Sequence, residues 1–268
     1  MSRDAVLGAI RRGLRRGPLP DDQAMGLRAR LDAHPRHLIP ARSRLPRPGQ
    51  IALFIRNLEK EFATCLRVPD IAAVPAAVAD YLAAQNLPSD FAMAPHPELR
   101  AIPWSQRPLL QMREGRAQDS DLVAVQHGYL GIAETGTLML PATPERPTTL
   151  NLLCDTEIVV LQAGRVVGAY EEAWDILRAE REGMVAGGTM PRNVMLVTGP
   201  SRSADIESTL ELGAHGPRRL HVILVGDDLP VTLVGNDLPV SLVGNDLPVT
   251  QVGNDLPVNQ IGSDQGAP

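Results

Sequence analysis

Apolar positions follow two rhythms along this chain. Val6, Ile10 and Leu14 share one helical face between Met1 and Arg16, with Arg11, Arg12, Arg15 and Arg16 around the other, which predicts an amphipathic docking helix. From Gly17 to Gly49 the rhythm is lost, and Pro18, Pro20, Pro35, Pro40, Pro46 and Pro48 predict an arm without a long regular element. Helical spacing returns with Leu53, Phe54, Leu58 and Phe62, predicting a helix over 51–66, and a second is predicted over 74–85. Short apolar runs then predict strands at Phe91–Ala94, Leu122–Gln126, Thr137–Leu140, Glu157–Leu161, Asn193–Thr198 and Leu220–Val225, with helices at Tyr170–Arg181 and Ala204–Leu212.

This alternation predicts an α/β fold with a mostly parallel central sheet and helices on both faces, because strands apolar on both sides need cover on both sides. Residues 51–225 form that domain, preceded by a helix and arm over 1–50. After Leu224 a nonapeptide begins, Val225-Gly-Asp-Asp-Leu-Pro-Val-Thr-Leu, with copies starting at Val234, Val243 and Val252 and a decayed copy at Ile261. A Pro in every unit opposes helix and interior strand alike, so 226–268 is expected to be a disordered tail. It lacks the Gly-Gly-x-Gly-x-Asp pattern of calcium-binding nonapeptides.

Composition narrows the function classes. Aromatic residues are 3% of the chain, too few for a base-stacking platform, and a net charge of -5 offers no field for polyanions, so no nucleic-acid partner is expected. No run approaches the roughly 18 apolar residues of a membrane span, and no signal peptide is evident, which predicts a cytoplasmic protein. Cys65 and Cys154 are too few and too far apart for an iron–sulfur cluster or a disulfide framework, so no cofactor is expected in this chain.

Ligands of open parallel sheets sit beyond the carboxyl ends of the strands, which directs attention to the loops after Gln126, Leu140 and Thr198. In Gly131-Ile-Ala-Glu-Thr-Gly-Thr137 a carboxylate lies between an apolar pair and a Gly-Thr turn. Desolvation would suit Glu134 to acid–base or nucleophilic work, Gly136 would allow close backbone approach to a ligand, and Thr135 and Thr137 would supply hydroxyls. A carboxylate that merely caps a turn is the competing account. In Thr198-Gly-Pro-Ser-Arg-Ser-Ala-Asp-Ile-Glu207, Gly199 opens a turn into the expected helix, where Ser201 or Ser203 would cap and Arg202 would help the exposed N–H groups hold an anion. Asp205 in the first turn satisfies the helix dipole, so a well-capped structural helix competes equally. His215, in Gly213-Ala-His-Gly-Pro217, is a candidate acid–base group beside Ser201 and Glu134. His127 neighbours the first motif, whereas His221 reads as structural. His127, His215 and His221 show no metal-ligand spacing, so no metal is expected, and no dinucleotide, P-loop or nucleophile-elbow fingerprint is present.

Together, Gly-Ile-Ala-Glu-Thr-Gly-Thr at 131–137, Gly-Pro-Ser-Arg-Ser-Ala-Asp-Ile-Glu at 199–207, Gly-Ala-His-Gly-Pro at 213–217 and Leu-His-Val-Ile-Leu at 220–224 resemble the signature of the lactate-utilisation (LUD) domain family. The resemblance implies a fold similar to sugar-phosphate isomerases, CoA transferases and formyltetrahydrofolate cyclo-ligases. It also implies a place in a three-protein system oxidising L-lactate to pyruvate, whose partner proteins carry the iron–sulfur clusters. Some family members have Pro and His in the segment corresponding to Leu152–Ile158, where Cys154 and Glu157 stand here. The expected role is a non-cluster subunit holding lactate, pyruvate or a partner surface in a pocket lined by Glu134, Thr135, Ser201, Arg202 and His215. Alternatives are a CoA-transferase-like or sugar-phosphate-type enzyme using Glu134, and a purely architectural subunit.

Overall fold

A computed structural model describes residues 2–17, 19–184, 190–204 and 210–226. The nonapeptide tail beyond Gly226 and Asp205 fall outside them. In chain order the elements are α1 (Arg3–Gly13), α2 (Asp21–Ala33), α3 (Arg47–Lys60), β1 (Thr64–Val68), α4 (Val74–Ala84), β2 (Asp90–Met93), α5 (Pro97–Arg100), β3 (Gln111–Glu114) and β4 (Val123–His127). They continue with β5 (Leu130–Ile132), β6 (Thr137–Pro141), β7 (Thr156–Gln162), β8 (Val166–Val167), α6 (Tyr170–Met184), β9 (Val194–Val197), β10 (Arg202–Ala204), β11 (Leu210–Leu212) and β12 (Arg219–Val225).

The centre is a six-stranded sheet in the order β1-β12-β7-β4-β2-β3, with every neighbouring pair parallel. Alternate side chains leave it on opposite faces. Val123, Val125, Ile158, Val160, Ile223 and Val225 pack toward Val78 and Leu82 of α4, while Val159, Leu161, Leu220, Val222 and Leu224 pack toward Phe54 and Leu58 of α3. Burial on both faces explains why these strands read as unbroken apolar runs.

A second sheet, β8-β5-β6-β9, lies over the α3 face through Leu138 and Leu140. Its β5–β6 and β6–β9 pairs are antiparallel. Leu130, Ile132 and Met139 on its far side pack on Ala173 and Leu177 of α6. The mostly parallel α/β expectation therefore holds for the central sheet, but β6 and β9 belong to a separate layer. The loops after Leu140 and Thr198 consequently do not follow parallel strands.

Three local expectations need correction. Prolines bracket α2 rather than prevent it: Pro20 precedes its first turn, where Asp21 and Asp22 suit the positive helix end, and Pro35 lies just beyond its last. The helix expected to reach Leu66 stops at Lys60, because Phe62 adopts φ 69° and Thr64–Val68 pairs with β12. Strands β10 and β11 pair antiparallel at both ends of the span expected to be helical, Ala204–Leu212. Ser201 N–H donates to Pro217 O (2.8 Å) and Gly213 N–H to Ser201 O (3.0 Å), so ladder pairing sets the two ends of that span, and its middle, 205–209, lies outside the described residues.

Candidate functional site

The motifs prominent in the sequence gather around the last turn of α3 and the amino end of β12. Glu134 lies in the β5–β6 turn, where Asn57 donates to the carbonyls of Ala133 (2.8 Å) and Glu134 (3.1 Å), and Arg42 reaches its carboxylate at 3.5 Å. Thr135, Thr137, Tyr170 and Thr198 share hydroxyl hydrogen bonds of 2.6–2.9 Å, centred on fully buried Thr137. Gly136 has φ +70°, and a Cβ there would stand 2.3 Å from Leu58 N. Gly199 has φ +77°, and its Cβ would stand 2.2 Å from Glu61 O. The close approach that these glycines permit is therefore to the backbone of α3 and its end, where a ligand was expected.

Ser201 and the 213–217 turn form one unit. Ser201 Oγ accepts from His215 N–H at 3.1 Å, and the exposed Arg202 guanidinium lies 3.4 Å from the Phe62 ring centroid. Ser203 lies in β10. The Thr137–Thr198 bond links this unit to the Glu134 turn, so the first two motifs are neighbours. Among the described residues, however, no hydrogen bond or ion pair joins Glu134 to Ser201, Arg202 or His215. His221 has the structural surroundings expected of it: it stacks on Tyr81 at 4.0 Å and meets Thr64 Oγ1 at 2.7 Å.

His127 is elsewhere, at the carboxyl end of β4, where it meets residues that the sequence motifs do not indicate. After β2 the chain turns through Pro95, and His96 Nδ1 accepts from Glu98 N–H at 3.3 Å to start α5. The His96 and His127 rings stack with centroids 3.5 Å apart and planes 15° apart. Arg146, held after β6 by the Thr143 hydroxyl, grips both: its Nε donates to His127 Nδ1 (3.0 Å) and its Nη2 to His96 Nε2 (3.1 Å). His127 Nε2 faces the Glu98 carboxylate at 3.2 Å. Tyr129 supports this layer, with Arg146 5.3 Å and Arg165 4.7 Å from its ring centroid, and its hydroxyl donates to Glu180 at 2.7 Å.

Donor and acceptor roles follow from arginine, which only donates. His127 Nδ1 presents its lone pair to Arg146, leaving the ring proton on Nε2 toward Glu98. His96 meets a donor at each nitrogen, whereas a neutral imidazole offers only one ring lone pair, so it is imperfectly matched. Burial, reinforced by neighbouring positive groups, lowers His127 to about 3 and His96 to about 4, leaving both rings neutral near pH 7. Burial also lowers the Arg146 value.

Donor atoms of His96, Glu98 and His127 lie within 4.8 Å of one another, close enough to suggest a metal group. The geometry opposes that use. Imidazole lone pairs lie in their ring planes, and stacked planes do not aim them at one point; Arg146 already occupies a lone pair on each ring. A cation donor fork above neutral imidazoles suits an anion instead.

A separate buried chain runs from Gln126 through Asn151 to Glu157. Gln126 Nε2 donates to Asn151 Oδ1 at 3.3 Å, and the Asn151 amide donates to one oxygen of Glu157. The other oxygen is buried without a hydrogen-bond partner, and burial pushes the Glu157 carboxyl up to about 8. Neighbouring Cys154 is buried, and burial pushes its thiol up to about 12.

Residues 123–225, from the start of β4 to the end of β12, match the family model of the LUD domain. The curated relatives include an uncharacterized protein of Neisseria meningitidis serogroup B, 42% identical over 98 residues that cover 37% of this chain and 40% of that protein. Lactate utilization protein C of Bacillus subtilis is 34% identical over 105 residues, 39% of this chain and 42% of that one. The chain thus spans about two fifths of the length of the curated relatives it matches. A crystal structure of a DUF162 family protein from Deinococcus radiodurans shares the fold, with TM-score 0.52 and 23% identity over 68% of this chain and 99% of that one. Among the described residues no helix is long and apolar enough to cross a membrane.

Proposed function

We propose that this chain serves lactate utilisation as a non-cluster subunit beside iron–sulfur partner proteins that oxidise L-lactate to pyruvate. In this reading it holds a small 2-hydroxy or 2-oxo carboxylate at the carboxyl ends of β2 and β4. The name shared by curated relatives supports the metabolic role. The observation behind the site is Arg146, half-buried and directing two N–H donors at neutral imidazole nitrogens. A carboxylate is a stronger partner for that fork, because charge-assisted hydrogen bonds are roughly twice as strong as neutral ones. The position also obeys the carboxyl-end rule for parallel sheets, which the Glu134 and Ser201 segments do not.

Calorimetric titration of the full chain with pyruvate and with L-lactate tests this assignment. Arg146→Ala is expected to weaken binding by about tenfold or more, the loss of a charge-assisted pair, while Arg202→Ala leaves it unchanged. The reverse pattern would move the pocket to the amino end of β12. Pull-down with purified iron–sulfur lactate-utilisation proteins tests the partnership, and failure of the purified proteins to associate would count against it.

A further inference from the structure

Resting on that carboxylate reading, we propose that the ligand's carboxylate replaces the histidine pair on the Nε/Nη2 edge of Arg146, and that the released Nδ1 of His127 distinguishes the ligand's 2-oxygen: bare toward a hydroxyl, protonated toward a carbonyl. The arrangement of donors carries the inference. Arg146 uses the two N–H groups that form the bidentate grip on a carboxylate, yet gives one to His127 Nδ1 and the other to His96 Nε2. The stacked rings, 3.5 Å apart, thereby occupy the place of two carboxylate oxygens.

Their release has different consequences for the two rings. His96, free of Arg146, moves its proton to Nε2 and keeps a lone pair on Nδ1 for Glu98 N–H. Its mismatch ends without any change of charge. His127 cannot do the same, because its Nε2 proton is engaged by the Glu98 carboxylate. Its bare Nδ1 then faces the bound anion. A 2-hydroxy group satisfies that lone pair by donating to it. A 2-oxo group has no proton to give, so Nδ1 takes one from the buffer acid, whose conjugate base stays in solution, and the new N–H donates to the ligand. The bond formed is that N–H, the bond broken is the buffer acid's bond to the same proton, and the ligand's negative charge balances the proton taken up.

The groups facing the pair are few. Glu98 comes from α5, Glu145 and Arg146 from the loop after β6, and Arg165 from the turn before β8. Burial first, and then Arg146 and Arg165, disfavour a charged His127; the ligand's carboxylate neutralises the nearer arginine and puts a counter-charge beside the buried ring.

Proton linkage measures this directly. Titrating the full chain with pyruvate at pH 7, in buffers of different ionisation enthalpy, is expected to give uptake of about one proton, whereas L-lactate gives about none. Pyruvate affinity then falls about tenfold for each unit rise in pH, and L-lactate affinity stays flat. Equal proton counts for the two ligands would overturn the proposal while leaving the carboxylate site standing. Absence of binding by either would overturn both. His127→Gln is expected to weaken pyruvate binding and to remove the proton uptake from the binding that remains; because His127 is buried, His96→Asn serves as a second variant. Asn preserves an acceptor for Glu98 N–H, and the pyruvate proton count is expected to remain near one; a count of zero would transfer the role to His96 and sink the assignment to His127.

Discussion

The two ends of the central sheet differ in what their distinctive residues do. At the amino end of β12, conspicuous glycines and hydroxyls meet other parts of the chain: Gly136 and Gly199 abut α3 and its end, and Thr137 anchors a hydroxyl cluster. At the carboxyl ends of β2 and β4, His96, His127 and Arg146 occupy an inconspicuous sequence context but hold each other in an unsaturated arrangement. A segment that is easy to recognise need not be one that binds. Glycines at positive φ mark where backbone must approach backbone, and α3 is the partner here.

The largest expected effect breaks the amino end. Gly136→Ala adds a Cβ 2.3 Å from Leu58 N at a left-handed position, so steric overlap and backbone strain act together. A loss of about 4 kcal/mol in folding free energy is expected from urea denaturation. The folded fraction should still bind pyruvate with unchanged affinity. Loss of binding in protein shown to be folded would mean that the two ends are coupled.

The next effect is a pH dependence of stability. Glu157, joined to Gln126 through Asn151, lies within the central sheet. Its carboxyl, raised to about 8 from an ordinary 4.5, stays protonated in the native state after the unfolded chain has released its proton. Its contribution to stability is therefore complete below pH 4.5, falls as pH rises, and levels off above about 8. Glu157→Gln removes that dependence without changing the side chain's size. Relative to wild type, the variant should gain on the order of 3 kcal/mol between pH 4.5 and 8, measured by denaturation at each pH. His96, His127 and His221 change stability in the opposite direction as pH falls, but they are common to both proteins and cancel in the difference. A constant offset between the two curves would show that Glu157 is ionised in the native state.

Periodicity in the chain made the central sheet legible, because β4, β7 and β12 are buried on both faces and carry the apolar runs Val123–Val125, Ile158–Leu161 and Val222–Val225. It did not separate the two sheets. Leu138, Met139 and Leu140 are equally apolar whether their neighbour runs parallel or antiparallel, and pairing direction leaves no mark in so short a run. Ile206 and Leu210 have helical spacing, yet β10 and β11 are set by hydrogen bonds to the turn at 213–217. The carboxyl-end cluster was partly within reach. His96 follows the recognised strand Phe91–Ala94 by two residues, so the rule that ligands lie beyond carboxyl ends applied to it as much as to His127. Arg146 lies in the loop after Leu140, which the same rule had singled out, but β6 pairs antiparallel, and only the fold brings that loop beside β2 and β4.

The smallest expected effect sharpens the comparison most. Arg202 is the residue of the Gly-Pro-Ser-Arg segment best suited in charge to hold an anion, but its guanidinium already lies against the Phe62 ring. Both side chains are exposed, and a cation–π contact in water is worth about 0.5 kcal/mol. Arg202→Ala should therefore lower stability by about that amount and leave carboxylate binding intact, whereas Arg202→Lys should recover part of the stability because an ammonium also binds an aromatic face. Thermal unfolding and pyruvate titration on the same samples separate the two roles. If Arg202→Ala instead left stability untouched and weakened pyruvate binding by tenfold or more, Phe62 would be a resting place for a ligand-binding arginine. The amino end of β12 would then bind as well as pack, and the division between the two ends of the sheet would fail at the residue best placed to test it.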